Sequence, residues 1–109
     1  MFNTVEEYLK ATFNPDDKYN VRSSIECGDG TTISVQGGTK YHYCEPNEHC
    51  NVYNKVEVLV YDNEFGEVDI SALERDKTSD DVYGYVDIDK VERFVKEHGG
   101  IARINKPHF

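Results

Sequence analysis

Five side chains able to bind a soft metal lie in the first half of the chain: Cys27, His42, Cys44, His49 and Cys50. Thiolate and imidazole together suit zinc, and four ligands close a structural site. His42 and Cys44 are two residues apart, so on a strand they point the same way. The candidate set is therefore Cys27, His42, Cys44 and Cys50. The spacing argues against it. Five residues separate Cys44 from Cys50, there is no CxxC or HExxH, and Cys27 needs the first strand to pair nearby. The competing reading makes Cys27 and Cys44 small buried hydrophobes, His42 a sheet residue and His49-Cys50 loop surface. An odd number of cysteines predicts free thiols, with a Cys44–Cys50 bridge as the alternative for an exported protein.

Other chemistry is less well supplied. Cys44 or Cys50 with His42 or His49 could serve as nucleophile and base, but no nucleophile elbow surrounds them. Asp62-Asn63-Glu64-Phe65-Gly66 places oxygen donors at alternate positions and then departs from a calcium loop at Phe65. Gly28-Asp29-Gly30 and Gly37-Gly38 are too short to cradle phosphate and read as turns. Nothing identifies a catalytic group, and no cofactor is expected.

Charge and aromatic content are more directive. The net charge is -9. Between Asp62 and Asp81 lie Asp62, Glu64, Glu67, Asp69, Glu74, Asp76, Asp80 and Asp81, against only Arg75 and Lys77. Such a field attracts basic surfaces and repels bare nucleic acid. Tyr83 and Tyr85 follow it directly and alternate, so on a regular strand they share a face. Tyrosine offers a large contact area with a polar tip, and it stacks on cationic side chains. The expected partner-binding residues are Glu64, Glu67, Asp69, Glu74, Asp76, Tyr83 and Tyr85. A rival expectation is a small-ligand pocket, a nucleotide signal among the candidates, lined by Tyr41, His42, Tyr43 and Arg103. A third is a homodimer or higher homo-oligomer built on the tyrosine face.

These residues need a scaffold, and 109 residues suit one domain with one core. No stretch approaches 18 apolar residues, and MFNTVEEYLK lacks an apolar signal core. A cytoplasmic protein without a membrane span is expected. Thr4 and Glu7 form a capping box for a first helix carrying Val5, Tyr8 and Leu9, which Asn14-Pro15 ends. Alternation predicts strands over Val21–Ile25, Thr31–Val35, Tyr41–Cys44 and Lys55–Tyr61. Asp62–Asp81 reads as a surface excursion with a short helical turn near Ser71. Val82–Val86 reads as a strand. Asp87 caps a second helix, Ile88–His98, with Ile88, Val91, Phe94 and Val95 inward and Glu92–Lys96 paired outward. Gly99 stops it, and Ile101–Ile104 returns as an edge strand. The expected fold is α+β: an antiparallel sheet of four or five strands packed against an N-terminal and a C-terminal helix.

Three stretches carry a resemblance: ISVQGGTKYHYCEP (Ile33–Pro46), VEVLVYD (Val56–Asp62) and VYGYVDIDKVERFVKEHGGI (Val82–Ile101), about two fifths of the chain. They resemble small acidic proteins carried by phages and prophages. What the resemblance implies is a mobile-element context, the host cell cytoplasm, and inhibition of a host-defence or nucleic-acid-processing protein. The departure is that DNA mimics spread acidic residues widely, whereas here they concentrate in one region.

Overall fold

The structure is a computed structural model describing residues 2–61, 66, 68–73, 76–77 and 82–105, with 76–77 described as backbone. Thr4 caps α1 (Val5–Ala11), its hydroxyl accepting from the Glu7 amide at 3.0 Å. A seven-residue helix is too short to stand alone. Its second cap comes from α2 (Ile88–Glu97). There Glu92 accepts from the amides of Val5 at 2.7 Å and Glu6 at 3.0 Å. Glu92 therefore faces α1 rather than pairing outward with Lys96. Asp87 is the N-cap residue of α2 but makes no side-chain capping bond.

The strands are β1 (Ile25–Cys27), β2 (Thr32–Gln36), β3 (Lys55–Tyr61), β4 (Asp76–Lys77), β5 (Tyr83–Asp87) and β6 (Ile101–Ile104). They form one antiparallel sheet in the order β4-β5-β3-β2-β1-β6. The α+β fold with a helix near each end is thus as expected, the two-residue β4 being an addition at one edge. Both helices cover one face. Ile25, Ile33, Val35, Val56, Val58 and Val86 from the strands meet Val5, Tyr8, Leu9, Val91, Phe94 and Val95 in a single core. Burying such side chains contributes roughly 1.5–3 kcal/mol each.

Gly28 and Gly99 let α2 end against the β1–β2 turn. A Cβ on Gly28 would lie 2.7 Å from the Gly99 carbonyl oxygen, and Gly99 has a φ of +98°. The contact is fastened by the Asp29 amide donating to the His98 carbonyl at 2.9 Å.

Three expectations are corrected. Val21 is exposed and outside any strand; β1 begins only at Ile25. Residues Tyr41–Cys44 form a turn, not a strand. Gly38, at a φ of +82°, ends the β2 direction, and the Thr39 hydroxyl and carbonyl then accept from the Tyr41 and His42 amides. Finally, the acidic segment is more than an excursion. Ser71–Leu73 forms a short 3-10 turn whose Leu73 is fully buried, with Val68 and Ile70 packed on the core.

Candidate functional site

A β-bulge decides where the tyrosines point. Val56 pairs with Val86, but Val58 pairs with Tyr83, so β5 carries one extra residue opposite Glu57. Tyr85 absorbs it with a φ of +56°. That is left-handed backbone, which costs a non-glycine residue about 1–2 kcal/mol. The two tyrosines therefore do not share a face. Tyr83 lies opposite Val58 and packs against the core. Tyr85 meets Tyr43, with ring centroids 6.2 Å apart, and its amide donates to the Tyr43 carbonyl at 3.1 Å.

The turn bearing Tyr41 and Tyr43 is tied down between them. His42 Nε2 donates to the Tyr19 carbonyl at 2.8 Å, and its Nδ1 lies 3.3 Å from Glu57 Oε2. The other Glu57 oxygen accepts from the Tyr43 amide at 3.3 Å. His42 and Glu57 are thereby largely enclosed, their side chains only 11% and 17% exposed. The aromatic groups around them are not: Tyr19, Tyr41 and Tyr43 are 47%, 46% and 45% exposed. Tyr19 and Tyr41 meet as tilted rings with centroids 4.7 Å apart, and Lys18 and Lys40 lie over the Tyr41 ring. The result is an aromatic surface on a hydrogen-bonded turn.

One buried group supports it from behind. Arg22 is 5% exposed. Its Nε donates to the Thr12 hydroxyl, Nη1 to the Asn20 and Gly37 carbonyls, and Nη2 to the Leu9 carbonyl and Tyr53 hydroxyl. All five guanidinium protons are thus placed. The Leu9 carbonyl belongs to the C-terminal turn of α1, where a cation is favoured. Burial raises the Tyr53 pKa, and Arg22 opposes that shift. Sequence reasoning missed Arg22 as a hub, because its partners come from four separate segments.

The other predicted sites do not assemble. Cys27 lies in the core on β1, Cys44 is buried, and His42 is occupied by Tyr19 and Glu57. Among the described residues no group of three or more His, Cys, Asp or Glu side chains could hold a metal. All three cysteines are free thiols. Burial, with Asp29 and Glu26 nearby, pushes the Cys27 thiol up to about 11. Arg103 is on β6 and pairs with Glu26 at 2.9 Å. β6 is three strand positions from β3, or roughly 14 Å at the usual spacing, so Arg103 does not join Tyr41, His42 and Tyr43 in a pocket. Among the described residues, one surface depression of about 360 Å³ is lined by Asn3, Thr4, Glu92, Val95, Lys96 and Gly100. Another, about 270 Å³, is lined by Ser24, Thr32, Tyr61 and Asn105. Neither contains a predicted site residue.

Of the acidic residues, Glu64, Glu67 and Glu74, with Asp62, Asp80 and Asp81, lie outside the described residues. Asp69 is exposed and accepts from the Ser71 amide at 3.0 Å, a bond that lowers its pKa. Asp76 is placed by its backbone. It pairs with Gly84, and Lys77 with Tyr83, so the acidic segment supplies the strand beside the tyrosine strand.

No helix among the described residues is long and apolar enough to cross a membrane. Comparison with family models, curated proteins and solved structures gives no match.

Proposed function

We propose that this protein is a non-enzymatic protein-binding domain that sets its acidic segment and the adjoining tyrosines against a basic partner surface. The observation that carries the reading is the β4–β5 pairing. It brings Asp76 directly opposite Gly84, between Tyr83 and Tyr85. Ion pairing from the acidic segment and cation–π contact from Tyr85 and Tyr43 then address the same kind of surface. The net charge of -9 favours such encounters and opposes bare nucleic acid. The partner we favour is a host-defence or nucleic-acid-processing protein whose basic groove is blocked, as an inhibitor encoded by a phage would do.

The test is charge reversal with the fold preserved. Glu64→Lys, Glu67→Lys and Asp76→Lys are combined, leaving Asp69 in place because it caps the Ser71 turn. Affinity for the identified partner is expected to fall about 100-fold or more. Unchanged affinity in a folded variant refutes the reading. Mass in solution distinguishes a homo-oligomer formed by the same tyrosines.

A further inference from the structure

We propose that Cys44 and Cys50 form a redox pair, closing to an intramolecular disulfide that clips the loop next to Tyr41 and Tyr43. Both cysteines hang on one short piece of chain. The Cys44 thiol donates to the Thr39 carbonyl at 3.2 Å, and the Cys50 amide donates to the preceding carbonyl, Gly38, at 3.0 Å. The Cys50 backbone lies directly on Gly38, where an added Cβ would be 2.7 Å from the Cys50 carbonyl oxygen. The Cys44 thiol and the neighbouring Tyr53 hydroxyl both feel Cys50. Charge on Cys50 raises the Cys44 pKa, and charge on either raises that of the Tyr53 hydroxyl.

The surroundings suit closure. The Glu45 amide donates to the Lys55 carbonyl at 3.0 Å, and the Asn54 amide to the Glu45 carbonyl at 3.1 Å, so the base of the loop is fixed. Between the cysteines, Glu45, Asn47, Glu48 and His49 are exposed, and His49 holds the loop against Phe13, with ring centroids 5.1 Å apart, and Asn20 at 3.3 Å. Cys50 is the partly exposed thiol, lying 3.9 Å from the Val52 carbonyl oxygen, and Cys44 is buried. This divides the roles. Cys50 is the attacking thiol and Cys44 resolves.

With hydrogen peroxide as oxidant the chemistry balances. The Cys50 thiolate attacks a peroxide oxygen; the S–O bond forms, the O–O bond breaks, and hydroxide leaves to become water. The Cys44 thiol then attacks the Cys50 sulfenic sulfur; the S–S bond forms, the S–O bond breaks, and a second water leaves. Two thiols are oxidised together by two electrons, and the peroxide is reduced to water. Cys27, in the core on β1, takes no part and serves as an internal control.

The experiment treats the full chain with hydrogen peroxide under native conditions, traps remaining thiols, and maps the peptides without reduction. The expected product is a monomer lighter by two hydrogen atoms, with Cys44 linked to Cys50 and Cys27 trapped as free thiol. Cys50→Ser abolishes the bridge, and Cys44→Ser leaves a Cys50 sulfenic acid that dimedone captures. Should Cys44→Ser fail to fold, the wild-type map decides alone. Cys50 proceeding to sulfinic acid with Cys44 still free, or bridging only between chains, overturns the proposal.

Discussion

The Tyr85 amide donates to the Tyr43 carbonyl at 3.1 Å, and this bond joins an irregular turn to a strand at the point where the strand is strained. Through it, the bulge in β5 and the turn bearing Tyr41 and Tyr43 become one surface. The bulge residue is a tyrosine in left-handed backbone, which a side chain normally avoids. Local strain of this kind is retained when surrounding contacts over-determine it, and it concentrates at working sites.

Two substitutions separate that backbone strain from the ring. Tyr85→Gly relieves the positive φ while removing the contact with Tyr43, so the melting temperature is expected to stay within about 5 °C of wild type. Tyr85→Val places a β-branched residue in the same conformation and is expected to destabilise by about 2 kcal/mol. Denaturant unfolding of both variants checks this. Equal losses would show that φ is not the deciding factor.

Arg22 predicts the largest single loss. Arg22→Met keeps much of the volume but removes the guanidinium donor from the Leu9, Asn20 and Gly37 carbonyls and the Tyr53 hydroxyl, the Leu9 carbonyl keeping its longer bonds from the Tyr53 and Thr12 hydroxyls. The expected cost is about 3 kcal/mol or more, since bonds to charged groups contribute roughly 1.5–3 kcal/mol each and are not additive. Arg22→Lys recovers only part, because one ammonium cannot serve five sites. Chemical denaturation reads both, and a loss below about 1 kcal/mol contradicts the hub assignment.

Glu92 gives a graded test of helix capping across the fold. Glu92→Ala removes both acceptors from the Val5 and Glu6 amides and is expected to cost about 1–2 kcal/mol. Glu92→Gln keeps one oxygen and is expected to cost about half as much. Amide hydrogen exchange in α1 should rise in the same order. Exchange unchanged in Glu92→Ala would show that α1 is capped by Thr4 alone.

Asp29 sets a pH dependence. Its slight burial acts to raise its pKa. The Thr31 amide and hydroxyl and His98 outweigh that, holding it below the ordinary 3.8. A lowered folded-state value means that the contribution is fully present above the unfolded-state pKa and is lost as pH falls through the folded-state one. Asp29→Asn is therefore expected to flatten the stability profile below about pH 4, with its full cost appearing at neutral pH. A profile parallel to wild type down to pH 2 would contradict the assignment.

Much of the scaffold was legible because its signals are local. Thr4 caps α1 within one turn, and the alternation in Val56, Val58 and Val35, Ile33 marks β3 and β2 directly. The candidate surface was less legible because its determinants are distant in sequence. Tyr41 to Cys44 alternates like a strand, but Gly38 turns the chain away and His42 binds Tyr19 and Glu57 instead. Tyr83 and Tyr85 sit in a bulge that depends on Val58 and Tyr43. Leu73, a lone leucine among charges, is held by the core that α2 completes.

The most direct test is titration of an identified basic partner into wild-type protein and into the Tyr43→Ala, Tyr85→Gly double variant, followed by calorimetry. The proposed binding surface predicts a Kd at least about 30-fold weaker for the variant, or roughly 2 kcal/mol, with its thermal transition intact. Equal affinities for two folded proteins would contradict it.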